Sequence, residues 1–376
     1  MKVLKDTWEN PIVKKIIIGT GIFILVLIFL MMFASCTNKG KKYTYSDIEN
    51  LMVKTVKTKY KNSSELPSNG NKLEVNISKL IEEGLMKNIS EYTKDEETSC
   101  SGKVTIYNNN DNYLYIPNIN CGDKYKTKNL HDTIISENLV TTGNGLYQIN
   151  NEYVFKGDNI NNYISINNIL FRIISINEDG TIRLIENKRK AENITVWDDR
   201  YNIDKNVNYG INNYYENGLS SRLKEKLESI YKSDTYSSEL KAYFVPRENC
   251  IGKRSITESD NSGEIECSKK SEATPISIIA LYEYFRASLD PNCTSVESAS
   301  CSNYNYFNSN LESFWTLTAD KDTSYKVYRI SSGDVVLSNA SGSTNIKIVV
   351  NVNGDLPIVS GDGSESLPYI INKSKK

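Results

Sequence analysis

Histidine is almost missing from this chain: His131 is the single one among 376 residues. A Ser-His-Asp or Cys-His arrangement would have to use it, and no nucleophile motif of the G-x-S-x-G kind lies near it, so His131 reads as a solvated surface residue. Structural zinc is disfavoured on similar grounds, because no C-x-x-C pair occurs. Phosphate-cradling glycine motifs are lacking in any strand-to-helix context, which removes the support for nucleotide binding. Excess charge of one sign is lacking too: 45 lysines and arginines face 46 acids, a formal net charge of -1, and nothing in that balance suits nucleic acid. No cofactor, no metal and no nucleic-acid partner are expected.

Long apolar runs are also scarce, with one exception. Ile16 to Cys36 is 21 residues without a charge, IIIGTGIFILVLIFLMMFASC, preceded by Lys14 and Lys15. As a helix it would be roughly 30 Å long, the depth of a bilayer's hydrocarbon core, with its backbone hydrogen bonds satisfied internally. Residues 16–36 are therefore expected to be a transmembrane anchor, residues 1–15 a cytoplasmic tail, and the rest to lie on one side of the membrane. The closing FASC is similar to a lipobox, which makes Cys36 a candidate for lipidation after cleavage. An uncleaved single span is the expectation, since Phe33 stands where an aliphatic residue is usual and the tail is long for a signal segment.

Six further cysteines fall into three sequence-local pairs: Cys100 with Cys121, Cys250 with Cys267, and Cys293 with Cys301. Paired cysteines beyond an anchor indicate an oxidising compartment, so the expected location is the cell membrane with the C-terminal part extracellular. Tyrosine is abundant, 25 against 9 phenylalanines, which fits either an aromatic binding face or the codon bias of an AT-rich genome.

Periodicity predicts an amphipathic helix over 46–60, capped by Ser46 with Glu49, then a strand end and short helix over 75–83 stopped by Gly84. A hairpin follows: Val104 to Tyr107 and Tyr113 to Ile116 flank Asn108 to Asn112, and Cys100 and Cys121 are symmetric about its centre. Residues 131–150 read as a linker. Strands are expected at 153–156, 163–166, 169–176 and 181–185, with turns at Asn167-Asn168 and Asp179-Gly180. Residues 197–215 are polar, aromatic and irregular. A helix is expected over 219–231 with Leu219, Leu223, Leu227 and Ile230 on one face. Strands return at 314–318, 325–331, 335–338, 346–352 and 369–371.

Two resemblances overlie this reading. The order of ELP at 65–67, SKLIEEGLMKNIS at 78–90, CSGKVTIYNNNDNYLYIPNINC at 100–121 and Tyr125-Lys126-Thr127 resembles the ectodomain of prepilin-like proteins of low-GC Gram-positive bacteria over residues 43–130. The glutamate those proteins carry at the fifth position after the processing glycine is absent here. Residues 150–372 resemble a domain of unknown function at the C-termini of surface proteins from the same bacteria, through YVFKGDNINNYISINNILFRIISINEDGTIRLI, LYEYFRAS, FWTLT, IKIVVNV and GDGSESLPYII. That family is similar to the C-type-lectin-like fold of formylglycine-generating enzymes; its Arg-Pro before the penultimate strand is Lys347-Ile348 here.

The expected fold class is α+β: an N-terminal transmembrane helix, a small pilin-like α+β domain over 43–130, the linker, and a β-rich C-type-lectin-like domain with disulfides over 151–376. Gly361-Asp362-Gly363 and Asp320-Lys321-Asp322 could offer carboxylates to calcium but read as ordinary turns. Trp197, Trp315, Tyr304, Tyr306, Tyr325 and Tyr328 could stack on sugar rings, though strand aromatics are more often core. The expected function is a membrane-anchored extracellular binding or adhesion protein without catalytic activity, its partners the membrane and a surface protein or glycan. The alternative is a structural component of a pilus-like or secretion assembly. An enzyme related to the formylglycine-generating type ranks third, because local cysteine spacing speaks for staples rather than a reactive thiol pair.

Overall fold

The computed structural model describes residues 42–61, 63–94, 99–188, 193–309 and 312–371. The apolar run 16–36, the tail before it and Cys36 lie outside the described residues; among those described, no helix is long and apolar enough to cross a membrane. The chain is α+β and rich in strands, with three disulfides.

The first unit sets helix α1 (Tyr45–Tyr60) on a sheet of β1 (Lys72–Asn76), β2 (Ser101–Asn109) and β3 (Asn112–Asn120), paired antiparallel in that order, with short helices α2 (Ile77–Glu82) and α3 (Ile89–Thr93) between β1 and β2. The cap of α1 differs from the one expected. Thr44 is the N-cap, its hydroxyl accepting from the Asp47 amide at 3.1 Å while Asp47 accepts back from the Thr44 amide at 3.0 Å. That register turns Glu49 inward instead. Ile48, Met52 and Val56 are fully buried on the same face, against Val104, Ile106 and Ile119 of the hairpin. The β2–β3 turn is tighter than expected: Asn110 and Asp111 both take left-handed φ, +50° and +61°, as a two-residue turn matching strand twist requires.

Glu49 is buried and accepts from Thr127 Oγ1 at 2.5 Å and from the Tyr125 hydroxyl at 2.9 Å. Burial raises its carboxyl above the ordinary range, and the two hydrogen bonds only partly oppose that shift. The folded state thus holds this proton more tightly than the unfolded chain does. Its contribution favours folding below the unfolded carboxylate range and is lost as pH rises through the raised value. Glu49→Gln, which keeps an oxygen for both donors, should raise the urea midpoint at pH 7, with the gain shrinking as pH is lowered. A midpoint reduced equally at both pH values would contradict this.

Residues 131–150 are not a linker. Helix α4 (Leu130–Asn138) is capped by Asn129, whose side chain accepts from the Asp132 amide at 2.7 Å, and β4 (Gly145–Ile149) pairs with β5 (Glu152–Lys156). Leu130, Ile134 and Leu146 are fully buried, each a burial of about 1.5–3 kcal/mol, so this stretch belongs to the larger core. Polar side chains between the apolar positions hid the four-residue spacing.

The second unit is built on two sheets. The nine-stranded sheet contains β6 (Tyr163–Ile166), β7 (Ile169–Ile176), β8 (Ile182–Glu186), β12 (Ile276–Ser277), β17 (Val349–Val352), β18 (Ile358–Ser360) and β19 (Tyr369–Ile371) in the order β12-β17-β8-β7-β6-β19-β18, with β5 also joining β7. The five-stranded sheet runs β15-β14-β13-β16-β9, from β9 (Ile194–Val196), β13 (Phe314–Ala319), β14 (Lys326–Ser331), β15 (Asp334–Asn339) and β16 (Ser343–Asn345). A small hairpin of β10 (Tyr215–Glu216) and β11 (Leu219–Ser220) precedes helix α5 (Arg222–Lys232), and short helices α6 (Ser238–Lys241), α7 (Glu264–Cys267) and α8 (Leu281–Arg286) follow. Helix α5 starts three residues later than expected, because Ser221 caps it. Leu219 is consequently 62% exposed, while Leu223, Leu227 and Ile230 are buried.

The two units share one contact surface. Leu114 and Ile116 of β3 enter the larger core, and the buried side chain of Asn109 donates to the Ala242 carbonyl at 2.7 Å. The hairpin is therefore two-faced, closing the small core on one side and docking on the large unit with the other.

Candidate functional site

Between Trp197 and Ser221 the chain makes few ladder hydrogen bonds, so its shape depends on side chains satisfying the backbone. Trp197 is fully buried, its indole N–H donating to the Thr316 carbonyl at 3.1 Å. Asp198, also fully buried, holds the guanidinium of Arg200 through both oxygens. Asn202 donates to the carbonyls of Gly210 and Ser324 at 3.1 and 3.2 Å. Asn212 donates to the carbonyls of Asp320, Thr323 and Lys326 at 2.8, 2.6 and 2.8 Å, and its oxygen accepts from Lys253 at 2.7 Å. Gly210, at φ +90°, brings the chain so close to the Asp198 carbonyl that a Cβ would sit 2.0 Å from it. The loop is thus fastened from within by amide side chains.

The fastened loop presents polar and apolar side chains together, Asp204, Lys205, Asn206, Asn208, Glu216 and Asn217 among the polar ones. Ile203 is 82% exposed, and Tyr201, Tyr209, Tyr215 and Leu219 are exposed as well. Tyr209 leans on the half-buried Tyr325 with ring centroids 5.4 Å apart, and Lys224 lies 5.3 Å from the Tyr215 ring centre. Single exposed apolar residues are unremarkable on a protein surface, but five within 19 residues of one internally fastened loop make that loop the candidate contact surface.

A buried ion pair stands within the loop closed by Cys250 and Cys267. Arg254 is 0% exposed and donates from Nε and Nη2 to Glu266 at 2.9 and 3.0 Å, and further to the carbonyls of Glu258 and Asp260 at 3.1 and 2.8 Å. Its own backbone pairs with Ala319 and Lys321 and accepts from the Tyr328 hydroxyl at 3.1 Å. One arginine therefore ties the Cys250–Cys267 loop to the β13–β14 turn that carries Tyr325.

All three expected disulfides form: Cys100–Cys121, Cys250–Cys267 and Cys293–Cys301 have Cα separations of 4.2, 4.3 and 4.6 Å. Trp197, Trp315, Tyr306 and Tyr328 are core residues and present no ring to solvent, whereas Tyr304 is exposed and Tyr325 joins the face. Asp320 is buried, accepting from Thr323 and Tyr328 at 2.7 and 3.3 Å, and Asp362 accepts from the Ser364 amide at 2.9 Å, so both stretches are turns held by their own hydrogen bonds. Among the described residues no cluster of three or more histidine, cysteine or acidic side chains could hold a metal ion. His131 opens α4, half-buried, with Nδ1 3.0 Å from Asp132. Lys347, where the resembling family has arginine, is buried beside Glu312 at 3.3 Å and donates to the Asn187 carbonyl at 3.3 Å; burial holds its ammonium below the usual lysine range.

Sequence reasoning did not single out Tyr201, Ile203 and Tyr209. The available signal was a tyrosine- and asparagine-rich stretch with neither helical nor strand period, which marks an irregular loop but not which rings face outward. No protein-family model matches the chain, and neither a curated protein nor a solved structure was found to be similar to it.

Proposed function

We propose that this chain is a membrane-anchored cell-surface binding or adhesion protein, held by residues 16–36, with the disulfide-stapled units outside the cell and the 201–219 face as its contact surface. The observation that carries the reading is the loop itself. Two buried amides, Asn202 and Asn212, fix its backbone from within, and five of its large apolar side chains are left exposed, the kind of surface that interaction sites use. Three sequence-local disulfides support an oxidising compartment, and the lectin-like and pilin-like resemblances agree with surface display.

The test uses the full chain, displayed on cells or in detergent, presented to immobilised envelope glycans and surface proteins. Ile203→Asp combined with Tyr201→Ala should abolish retention while changing unfolding free energy by no more than about 0.5 kcal/mol for each exposed site. Retention that survives both substitutions would remove the loop from the account.

A second reading, a structural part of a pilus-like or secretion assembly, is favoured by the α1-on-hairpin unit directly after the anchor. Pull-down of envelope machinery in place of glycan or peptide ligands would favour it.

A further inference from the structure

Arg172, in β7, is 4% exposed, yet no carboxylate pairs with it among the described residues. The other deeply buried arginines behave differently: Arg183 is matched by Glu283 and Arg254 by Glu266. An unmatched buried cation is costly, so its surroundings need explaining. The guanidinium is clamped between two rings, its central carbon 4.5 Å from the Tyr163 centroid and 4.7 Å from that of Tyr306. Nε donates to Asn162 Oδ1 at 2.8 Å, and Asn162 is itself fixed by donating to the Ile173 carbonyl at 2.7 Å. Nη1 donates to the Tyr306 carbonyl at 3.1 Å and to Ser309 Oγ at 3.2 Å.

These contacts use the Nε hydrogen and both on Nη1, leaving the two on Nη2. Ser309 accepts from the arginine, so its own hydroxyl hydrogen is available to donate, and Ser309 is exposed. The nearby charges are mixed. Lys347 acts on Arg172 from the segment before β17, with Glu312 and Glu186 around it, and the charge of Glu365 acts on both Arg172 and Tyr163. None of the three acids takes the guanidinium as a direct partner.

We propose that Arg172 and Ser309 form a receptor for a carboxylate group on a small acidic ligand, Nη2 and the serine hydroxyl donating to its oxygens. Charge-assisted donors held rigid before the ligand arrives bind at little ordering cost. The inference goes beyond the adhesive reading and does not depend on it, because none of the 201–219 residues takes part.

The experiment titrates the full chain in detergent micelles with sodium acetate and sodium glucuronate against sodium chloride and sodium sulfate at constant ionic strength, read by calorimetry and by tyrosine fluorescence. Both carboxylates should saturate, and Ser309→Ala, an exposed substitution that leaves the core intact, should weaken them about tenfold. Arg172→Lys, which keeps the charge but loses the planar donors, should weaken them at least as much. Absence of saturation by either carboxylate, equal binding of sulfate, or unchanged affinity in Ser309→Ala would each overturn the assignment. Ser309→Ala decides the matter even where Arg172→Lys fails to fold.

Discussion

Replacing Glu266 with alanine should lower the unfolding free energy by about 3 kcal/mol, because it takes the bidentate partner from a guanidinium that is wholly removed from water. Arg254 and Glu266 are each 0% exposed, and burial pushes the Glu266 carboxyl upward against the pull of the arginine. The arginine also satisfies the carbonyls of Glu258 and Asp260. Removing the acid leaves those bonds in place but takes away the bidentate carboxylate, so that the nearest remaining one is Asp260 at 3.8 Å. Guanidinium-induced unfolding of the full chain checks the magnitude. The double substitution Arg254→Met with Glu266→Leu should recover part of the loss, since an apolar pair of similar volume removes both buried charges while the carbonyls of Glu258 and Asp260 lose their donor. A Glu266→Ala protein as stable as the parent would mean that water reaches Arg254.

The second large effect belongs to the hairpin. Cys100 and Cys121 extend the β2–β3 ladder by one step beyond the Ser101–Asn120 pair, so the bridge closes the open end of a hairpin whose other end is the Asn110-Asp111 turn. Serine at both positions should cost about 3 kcal/mol, the loop-entropy value for closing roughly 20 residues. The loss should fall first on the small core of Ile48, Met52, Val56, Val104 and Ile106, read as early amide exchange over 45–60 and 101–120. Early exchange confined to the second unit would contradict this assignment.

These two cases show which parts of the fold could be read from the chain. The Cys100–Cys121 bridge was legible because a hairpin is local: symmetry about one turn fixes the register, and register fixes which side chains meet. The same holds for Asn167-Asn168, whose left-handed φ values of +49° and +65° follow from the residue type. The Arg254–Glu266 pair was not legible, since nothing in a loop-rich stretch tells which charges are buried. Nor was the order of the large sheet. β8 pairs with β17 and β6 with β19 across more than 150 residues, and such partners are chosen by packing rather than by any local signal. The contact face was half legible: Trp197 to Tyr215 stood out as irregular, but its outward rings depend on Asn202 and Asn212 reaching the β13–β14 turn, contacts made over more than 100 residues.

The account rests on the two folded units standing outside the membrane, and labelling of intact cells with a membrane-impermeant amine reagent, followed by peptide mass spectrometry, addresses that directly. Exposed lysines beyond residue 42, such as Lys72 and Lys232, should be modified while Lys2 and Lys5 are spared. Modification of Lys2 and Lys5 with protection of Lys72 and Lys232 would place the disulfide-stapled units in the cytosol and contradict the account.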